Sequence, residues 1–320
     1  MPREIPSPVA GAATLEETVD AIAAGFDPRV EESVETAAVH LARLANNRTF
    51  LGDLLLDQLR EAHGTELGAG GYGPQAIVLS PVVGGCFLRA NIWPGERDKC
   101  LRASGATSLV YGIAHDHNFD FLTAGYFGPG YRSDYYEIEY GDIAGYRGET
   151  VALRFVERSA LHRGRMLHYR AHRDVHSQHP PSSTSVSLNI VHVDPGQEWY
   201  DQYGFDLDGL RISGILNPSA SETFLRCAVA LGEDGALDLA ADFGRNHPST
   251  RMRLACFEAR AARESCAAAR DRLWREAETA GDLMLAREAH ARRTANSAIE
   301  QHEQRKAQDN ESPADDHERA

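Results

Sequence analysis

The chain has 320 residues, a formal net charge of −14 at pH 7 and a hydrophobic content of 42%. This length suits one large domain or two smaller ones, and the apolar fraction is that of an ordinary soluble protein. The acidic balance argues against a nucleic-acid partner, because neutralising phosphates requires a concentrated basic surface. We therefore expect a small-molecule or protein partner.

Cysteine usage and the N-terminal sequence indicate a reduced protein that is not exported. The five cysteines are odd in number and form no C-x-x-C pair, so neither a disulfide framework nor a zinc knuckle is suggested. Residues 1–20 contain no basic segment followed by an apolar stretch, and no apolar run is long enough to cross a bilayer. We expect a cytoplasmic protein without membrane association.

The predicted elements begin with a helical segment over residues 1–67. Thr14 and Glu17 form a candidate capping box in front of an apolar periodicity. Gly25 ends this first helix, and a second helical pattern follows it. Residues 50–63 indicate a third helix.

The glycine-rich stretch GAGGYG, residues 68–73, breaks the helical pattern and is interpreted as a linker. Beyond it, β-branched and aromatic runs are separated by turn residues without helices between them, which favours an antiparallel barrel or sandwich over residues 68–216. The candidate strands are 76–83, 86–93, a run within 107–127, 135–140, 150–156, 165–171 and 184–193. The predicted fold class is α+β, mainly β with helical ends.

Helical patterns return over residues 217–300. Ser219 and Glu222 form a second candidate capping box, and Gly232 is a plausible helix end. Residues 301–320 are polar and charged and are predicted to be disordered. The apolar faces of the helical segments need a partner, so they could cover the mouth of the barrel or form a homodimer.

Two histidines, His115 and His117, stand in the stretch GIAHDHNFDF at the head of an apolar run. Alternate residues of a strand share a face, which would place the two side chains about 7 Å apart. The two imidazoles could then bind one metal ion. The alternative is that they are exposed or hydrogen-bonded strand histidines, because so short a pattern recurs by chance.

The surroundings of this pair resemble the first motif of the cupin superfamily, an H-x-H followed by an acidic residue and then a glycine. Gly128 stands where the glycine of that motif falls. Phe121, or Leu122 under a longer spacing, occupies the position of the glutamate ligand, so the glutamate is missing. The second cupin motif ends in a histidine after a glycine turn, and the segment that follows Gly164 resembles it, with His176 as the third ligand.

Within the cupins, the sequence is most similar to the cysteine dioxygenase, or thiol dioxygenase, branch. Those enzymes carry a strand ending in tryptophan and glycine, an H-D-H motif without the glutamate, and a histidine followed by a V-S-L strand. The counterparts here are residues 86–95, 113–118 and 174–191. The choice of His176 rests on this resemblance, because other histidines stand nearby. These are His168, His172 and His179.

The resemblance implies a cupin-like β-barrel and a mononuclear non-haem iron oxygenase. In this hypothesis His115, His117 and His176 bind Fe(II) and leave positions open for dioxygen and for a small polar substrate, an amino acid or a thiol. Histidine ligands also accept zinc, nickel and copper, so the ligand set alone does not name the metal.

Further side chains are candidates for catalysis. Tyr111 has the strand parity of the two histidines, and Arg89 and Arg173 could each bind a carboxylate through two hydrogen bonds. Arg89 is also the nearest counterpart of the arginine with which the thiol dioxygenases anchor their substrate. Each of these residues has a structural alternative, because arginines and tyrosines are common on solvent faces.

Two other functions stay open. A non-catalytic cupin would bind a ligand or a structural metal and present its C-terminal helices to a protein partner, and its site would be closed by a fourth ligand, His172 or Glu137. A metal-dependent isomerase or hydrolase would depend on the carboxylates of residues 135–140. The sequence contains neither a nucleotide-binding glycine loop nor a hydrolase nucleophile elbow.

Overall fold

The computed structural model describes residues 2–6, 10–61, 75–232 and 235–295. The predicted linker at 68–73 and the predicted disordered tail at 301–320 lie outside the described residues. The described residues form two compact units, one drawn from the ranges 1–143 and 147–217 and the other from the ranges 144–146 and 218–295. Within the described ranges, no helix has both the length and the apolar character needed to span a bilayer.

The N-terminal part of the first unit contains three helices, α1 (Leu15–Ile22), α2 (Glu31–Asn46) and α3 (Phe50–Glu61). The predicted capping box is confirmed, since the Glu17 backbone N–H donates to Thr14 Oγ1 at 3.1 Å and the Thr14 N–H donates to Glu17 Oε2 at 2.9 Å. These two bonds satisfy donors that the first turn of a helix otherwise leaves unpaired.

Two six-stranded antiparallel sheets make up the rest of this unit. In chain order the strands are β1 (Arg3–Glu4), β2 (Ala76–Val78), β3 (Cys86–Trp93), β4 (Ala114–His115), β5 (Phe121–Phe127), β6 (Tyr131–Glu137), β7 (Arg154–Leu161), β8 (Met166–Tyr169), β9 (Asp174–His179), β10 (Ser185–His192), β11 (Tyr203–Asp206) and β12 (Arg211–Ile215). The first sheet has the order β1-β8-β5-β10-β3-β2, and the second has the order β12-β11-β4-β9-β6-β7. An α+β fold of antiparallel sheets with helices is thus confirmed, whereas the barrel connectivity stays a prediction.

The long strand predicted within 107–127 is interrupted. A short helix, α4 (Lys99–Ser104), precedes this range, and the first three residues of the range, Thr107–Leu109, form a 3-10 turn. Within the range only β4 and β5 are extended. The backbone of Val110 is left-handed at φ 61° and that of Gly112 at φ 74°, which an extended strand does not allow. The alternation that the sequence implied therefore does not reach back to Tyr111.

Both faces of the first sheet are buried. In strand β10, side chains that point to opposite faces belong to two different apolar clusters. Leu188 and Ile190 belong to the apolar cluster that includes α1 and α2, whereas Val191 belongs to a second cluster shared with Tyr135 of the other sheet. Successive side chains of a strand point to opposite faces, so one strand serves two cores. The second cluster lies between the two sheets and is rich in aromatic rings. Its aromatic members include Phe87, Trp93, Tyr111, Phe121, Tyr131, Tyr135 and Tyr169.

A part-buried ion pair ties three strands of the second sheet together. Asp134 on β6 accepts hydrogen bonds from the Arg158 guanidinium on β7 and from His179 Nε2 on β9, the latter at 2.9 Å. The hydrogen bonds from Arg158 hold the pKa of Asp134 below its ordinary value. The ionised carboxylate is therefore the form that stabilises the fold.

We expect Asp134→Asn to lower the free energy of unfolding by about 1–2 kcal/mol at pH 7, because Arg158 is itself largely solvated. Since folding lowers the pKa of Asp134, its contribution is present above about pH 4 and is lost as the pH falls through the folded-state value. Urea unfolding should therefore show that the variant is less stable than the parent at pH 7, and that this difference in the free energy of unfolding is smaller at pH 3. An equal deficit at both pH values would contradict this account.

The second unit is helical. It contains α5 (Ala220–Leu231), α6 (Ala236–Asn246), α7 (Thr250–Arg263), α8 (Ala267–Glu278) and a further helical stretch at 283–295. One side of α7 packs with α5 and α6 through Met252 and Cys256, and another packs with α8 through Phe257.

The caps of α5 were predicted in part. Gly232 ends the helix in a left-handed conformation at φ 78°, as expected. Ser219 caps the start by accepting the Ser221 N–H, but the predicted capping box is wrong, because Glu222 accepts a hydrogen bond from the buried Arg251 of α7 at 2.9 Å. A tertiary ion pair thus takes the side chain that the local motif would have used.

Candidate metal centre

The three predicted metal ligands come together through a strand pairing. His115 ends β4, His117 lies just beyond it, and His176 lies in the middle of β9. In the antiparallel ladder of β4 and β9, His115 pairs directly with His176. Side chains of directly opposed residues lie on the same face of a sheet. The pairing therefore brings two histidines together that are far apart in the sequence.

The imidazole nitrogens converge on one point. His176 Nε2 lies 3.1 Å from His117 Nε2 and 3.2 Å from His115 Nε2. One potential ligand atom from each of the three residues lies within 4.8 Å of the others. Two nitrogens bound at a right angle to one metal, with bonds of about 2.1 Å, are about 3.0 Å apart, and about 3.4 Å at a tetrahedral angle. The observed spacings fit nitrogen donors of a shared metal ion.

Hydrogen bonds at the other ring nitrogens fix the orientation of two of these imidazoles. His115 Nδ1 donates to the carbonyl oxygen of Ile113 at 2.9 Å, which leaves the lone pair on Nε2. His176 Nδ1 lies 3.2 Å from the Tyr169 hydroxyl, which itself donates to the Tyr135 hydroxyl at 3.2 Å. Contacts of this kind set the tautomer of a ligand histidine and hold its ring in place.

Burial keeps the histidines neutral. The side chains of His115 and His176 are only 4% and 3% exposed. Burial lowers the pKa of His115, and it holds the pKa values of His117 and His176 well below the ordinary range, with further lowering of the His117 pKa by its histidine neighbours and Arg89. Neutral imidazoles carry the lone pairs that a metal requires, so the site is ready to bind at neutral pH.

The histidines line a cavity of about 330 Å³. This volume is within the range of small-molecule sites. One part of the wall is aromatic and another part is polar. The aromatic residues are Trp93, Phe119, Phe121 and Tyr131, and the polar ones include Arg89, Asn91, Gln178, Asn189 and Gln202. A small polar molecule could therefore bind beside the three imidazoles with both apolar and hydrogen-bonding contacts.

Of the three predicted catalytic residues, one lines the cavity and two lie outside its lining. Arg89, on β3, is buried and lines the cavity. Tyr111 is buried, but its hydroxyl donates to the Pro94 carbonyl at 2.8 Å, and it is not among the residues that line the cavity. Arg173 is 46% exposed and its guanidinium lies 3.9 Å from a Glu137 carboxylate oxygen, again outside the cavity lining. Only Arg89 is brought to the histidines.

His172 and Glu137, the two fourth ligands proposed from the sequence, do not lie with the three histidines. The ring of His172 is 4.3 Å from that of Tyr140, and Glu137 accepts hydrogen bonds from Arg154 and Arg170. Among the described histidines, cysteines and carboxylates, the metal-binding group consists of His115, His117 and His176 alone. The non-catalytic alternative with a site closed by His172 or Glu137 thus gains no support from this arrangement.

Several polar residues of the cavity were not singled out from the sequence, among them Gln178 and Asn189. Gln178 follows His176 by two positions on β9, and Asn189 on β10 donates to the backbone carbonyl of Arg89 at 3.1 Å. The period of two in a strand was sufficient to place Gln178 on the face of His176. No comparable signal marks Asn189, because its position depends on the pairing of β10 with β3.

Comparisons with known proteins give structural neighbours only. No protein-family model and no curated protein matches the sequence. A chain from crystal structures of two DMSP lyases is 12% identical, with 62% of this chain and 82% of that chain covered and a TM-score of 0.24. The DMSP lyase DddQ from Ruegeria pomeroyi DSS-3 is 11% identical, with coverages of 60% and 79% and a TM-score of 0.22.

A candidate mannose-6-phosphate isomerase from Ralstonia eutropha JMP134 is 19% identical, with 41% of this chain and 98% of that chain covered and a TM-score of 0.21. At TM-scores this low, the three likenesses carry no argument about activity. None of the three is described as a thiol dioxygenase, so that finer resemblance gains no support from them. The assignment of function rests on the geometry of the site.

Proposed function

We propose that this chain is a cupin-type enzyme that binds one Fe(II) ion through His115, His117 and His176 and oxidises a small polar substrate with dioxygen. The observation that carries the proposal is the convergence of three neutral imidazoles, two buried and one half-buried, on one point of a cavity. Three neutral nitrogen ligands on one side of a divalent ion leave further coordination positions for exchangeable ligands.

The chain's own groups have separable roles in this proposal. When bound, the iron ion would supply a site at which substrate and dioxygen meet and electrons are exchanged. Tyr169 holds the proton on His176 Nδ1, so that Nε2 keeps its lone pair directed into the cavity. Phe121, Phe119 and Trp93 line the cavity with apolar surface, which limits access of water to the reacting groups.

Arg89 supports the choice of a substrate with a carboxylate. Its guanidinium lies within the cavity wall and is close enough to His117 to lower the pKa of that histidine. A guanidinium binds carboxylates through two parallel hydrogen bonds, so it can orient an amino acid or a thiol carboxylic acid in front of the histidines. Dioxygen and such a substrate are the partners that we propose, and a homodimer through the helical segments stays a prediction.

A metal-dependent isomerase is a second proposal, because the same three imidazoles could hold zinc, which polarises a bound carbonyl or water. The carboxylates that this alternative required do not line the cavity. Glu137 pairs with arginines, and Glu139 is exposed. The oxygenase is therefore the function that the residues around the histidines support best.

Metal identity and oxygen dependence test the proposal together. The purified protein, stripped with a chelator, should be loaded anaerobically with Fe(II) or with Zn(II) and then offered a panel of amino acids and thiols in an oxygen electrode. We expect oxygen uptake that requires both Fe(II) and a carboxylate-bearing substrate, and none with Zn(II). A zinc form that converts a panel member without oxygen, beside an iron form that consumes none, would replace the oxygenase with the isomerase proposal.

A further inference from the structure

Gln178 places its side-chain amide at the metal-binding nitrogen of His176. The residue lies on β9, is only 3% exposed and lines the cavity. Its amide nitrogen is 3.0 Å from His176 Nε2. The spacing is close to the 3.1 and 3.2 Å that separate His176 Nε2 from the nitrogens of His117 and His115. The end of the Gln178 side chain therefore belongs to the same cluster of donor atoms.

The hydrogen bonding of this amide is only half satisfied. As positioned, the amide nitrogen lies 3.0 Å from Nε2 and 3.4 Å from Nδ1 of His176, so it rests over the imidazole ring and not along the Nε2 lone pair that a metal ion would use. The amide oxygen of Gln178 is buried and has no hydrogen-bond partner among the described residues. Buried polar atoms almost always have a partner, so an unpaired amide oxygen beside a metal-binding group points to a ligand.

A rotation of the terminal amide would give the unpaired oxygen a ligand position. The nitrogen and oxygen of a carboxamide have nearly the same shape, and a half-turn about the last side-chain bond exchanges them. This turn brings the oxygen beside the His176 ring, from which a small rotation of the side chain reaches a metal ion held by Nε2. Carboxamide oxygens are ligands for divalent cations.

We propose that Gln178 is the fourth protein ligand of this metal centre and binds through its amide oxygen. The inference rests on the metal site of the proposed function and adds to it a neutral ligand where the cupin-like motif lacks its glutamate. Phe121 and Leu122, which occupy the positions of that glutamate, are buried apolar residues and offer no donor.

The neutral charge of the amide has a consequence for the substrate. Three imidazoles and one carboxamide leave the full double positive charge on the metal, whereas a glutamate ligand would cancel half of it. An uncancelled charge, with Arg89 in the same cavity, favours an anionic substrate such as a carboxylate or a thiolate.

Cobalt loading tests the ligand directly and does not depend on turnover. Parent protein, Gln178→Leu, Gln178→Glu and the matched control Gln202→Leu, a second glutamine of the cavity wall, should be titrated with Co(II) against a chelator. We expect Gln178→Leu to lose more than about 100-fold in affinity, because a loss of about 10–100-fold is that of residues that only support a ligand. Its visible absorption should strengthen, because Co(II) with fewer ligands absorbs more intensely. Gln178→Glu should bind at least as tightly as the parent, and Gln202→Leu should match the parent in affinity and spectrum.

The outcomes separate this inference from the proposed function. If the parent binds Co(II) and Gln178→Leu keeps the parental affinity and spectrum, Gln178 is not a ligand, and only this inference is overturned. If Gln178→Leu and Gln202→Leu weaken binding equally, a general effect of altering the cavity wall is at work and the inference again fails. If the parent itself binds no metal while remaining folded by circular dichroism, the three-histidine centre fails as well.

Discussion

Alanine in place of His176 is expected to remove the metal from this protein. His176 Nε2 is the atom that lies within 3.2 Å of both other imidazole nitrogens, so its loss leaves two nitrogen ligands. Removal of residues that only support a metal ligand costs about 10–100-fold in affinity, and we expect the loss of a ligand to cost more than about 100-fold. Elemental analysis of protein loaded anaerobically with Fe(II) and then desalted should show near-stoichiometric iron in the parent and a trace in the variant.

The matched control is His179→Ala on the same strand. His179 lies three positions beyond His176, and its Nε2 bonds to Asp134 Oδ2 at 2.9 Å, outside the lining of the cavity. We expect this variant to keep the parental iron content while losing some thermal stability. Iron retained by His176→Ala, with an unchanged circular dichroism spectrum, would show that the metal is bound elsewhere.

A single methyl group at Gly128 is expected to destabilise the fold by about 3–5 kcal/mol. The residue has a φ of 77°, and a β-carbon built on it would lie 2.3 Å from the backbone oxygen of Thr184. A left-handed conformation costs a residue with a β-carbon roughly 1–2 kcal/mol, and a contact with backbone cannot be relieved by turning a side chain. Urea unfolding of Gly128→Ala should show this loss as a large fall in the midpoint.

Gly164→Ala separates the cost of the left-handed backbone from the cost of the contact with Thr184. Gly164 has a φ of 83°, but a β-carbon at this position would meet no atom within 4 Å. It therefore measures the conformational cost alone, and we expect a loss of only about 1–2 kcal/mol. If the two variants lost the same stability, the close approach of the Gly128 turn to Thr184 would not be the cause.

Gly128 also shows how a sequence resemblance and a physical constraint can coincide. The cupin-like motif drew attention to this glycine through its spacing from His117. In the structure, the turn between β5 and β6 brings the backbone of Gly128 against the chain at Thr184, just before β10. The motif therefore indicated the residue, but the contact that requires a glycine involves a segment more than fifty positions away.

Local patterns predicted the features that depend on neighbouring residues. The capping box of α1, the glycine end of α5 and the antiparallel, β-rich middle of the chain follow from hydrogen bonds and side-chain periodicity within a few residues. The same kind of reasoning failed at Glu222, whose carboxylate pairs with Arg251 of another helix. It failed again at Tyr111, because Gly112 turns the backbone and ends the assumed alternation.

The sequence by itself determined that two histidines, His115 and His117, stand close together at the head of an apolar strand, and that the chain is acidic and rich in β structure. The tertiary structure decided which distant side chains join them. The pairing of β4 with β9 places His176 opposite His115, and the pairing of β9 with β6 brings His179 to Asp134. Gln178, on the same strand, lines the cavity. Strand register is set by packing across the whole sheet, and a shift of one residue would reverse every side chain. The residue pattern of a single strand therefore does not determine its register against its neighbours.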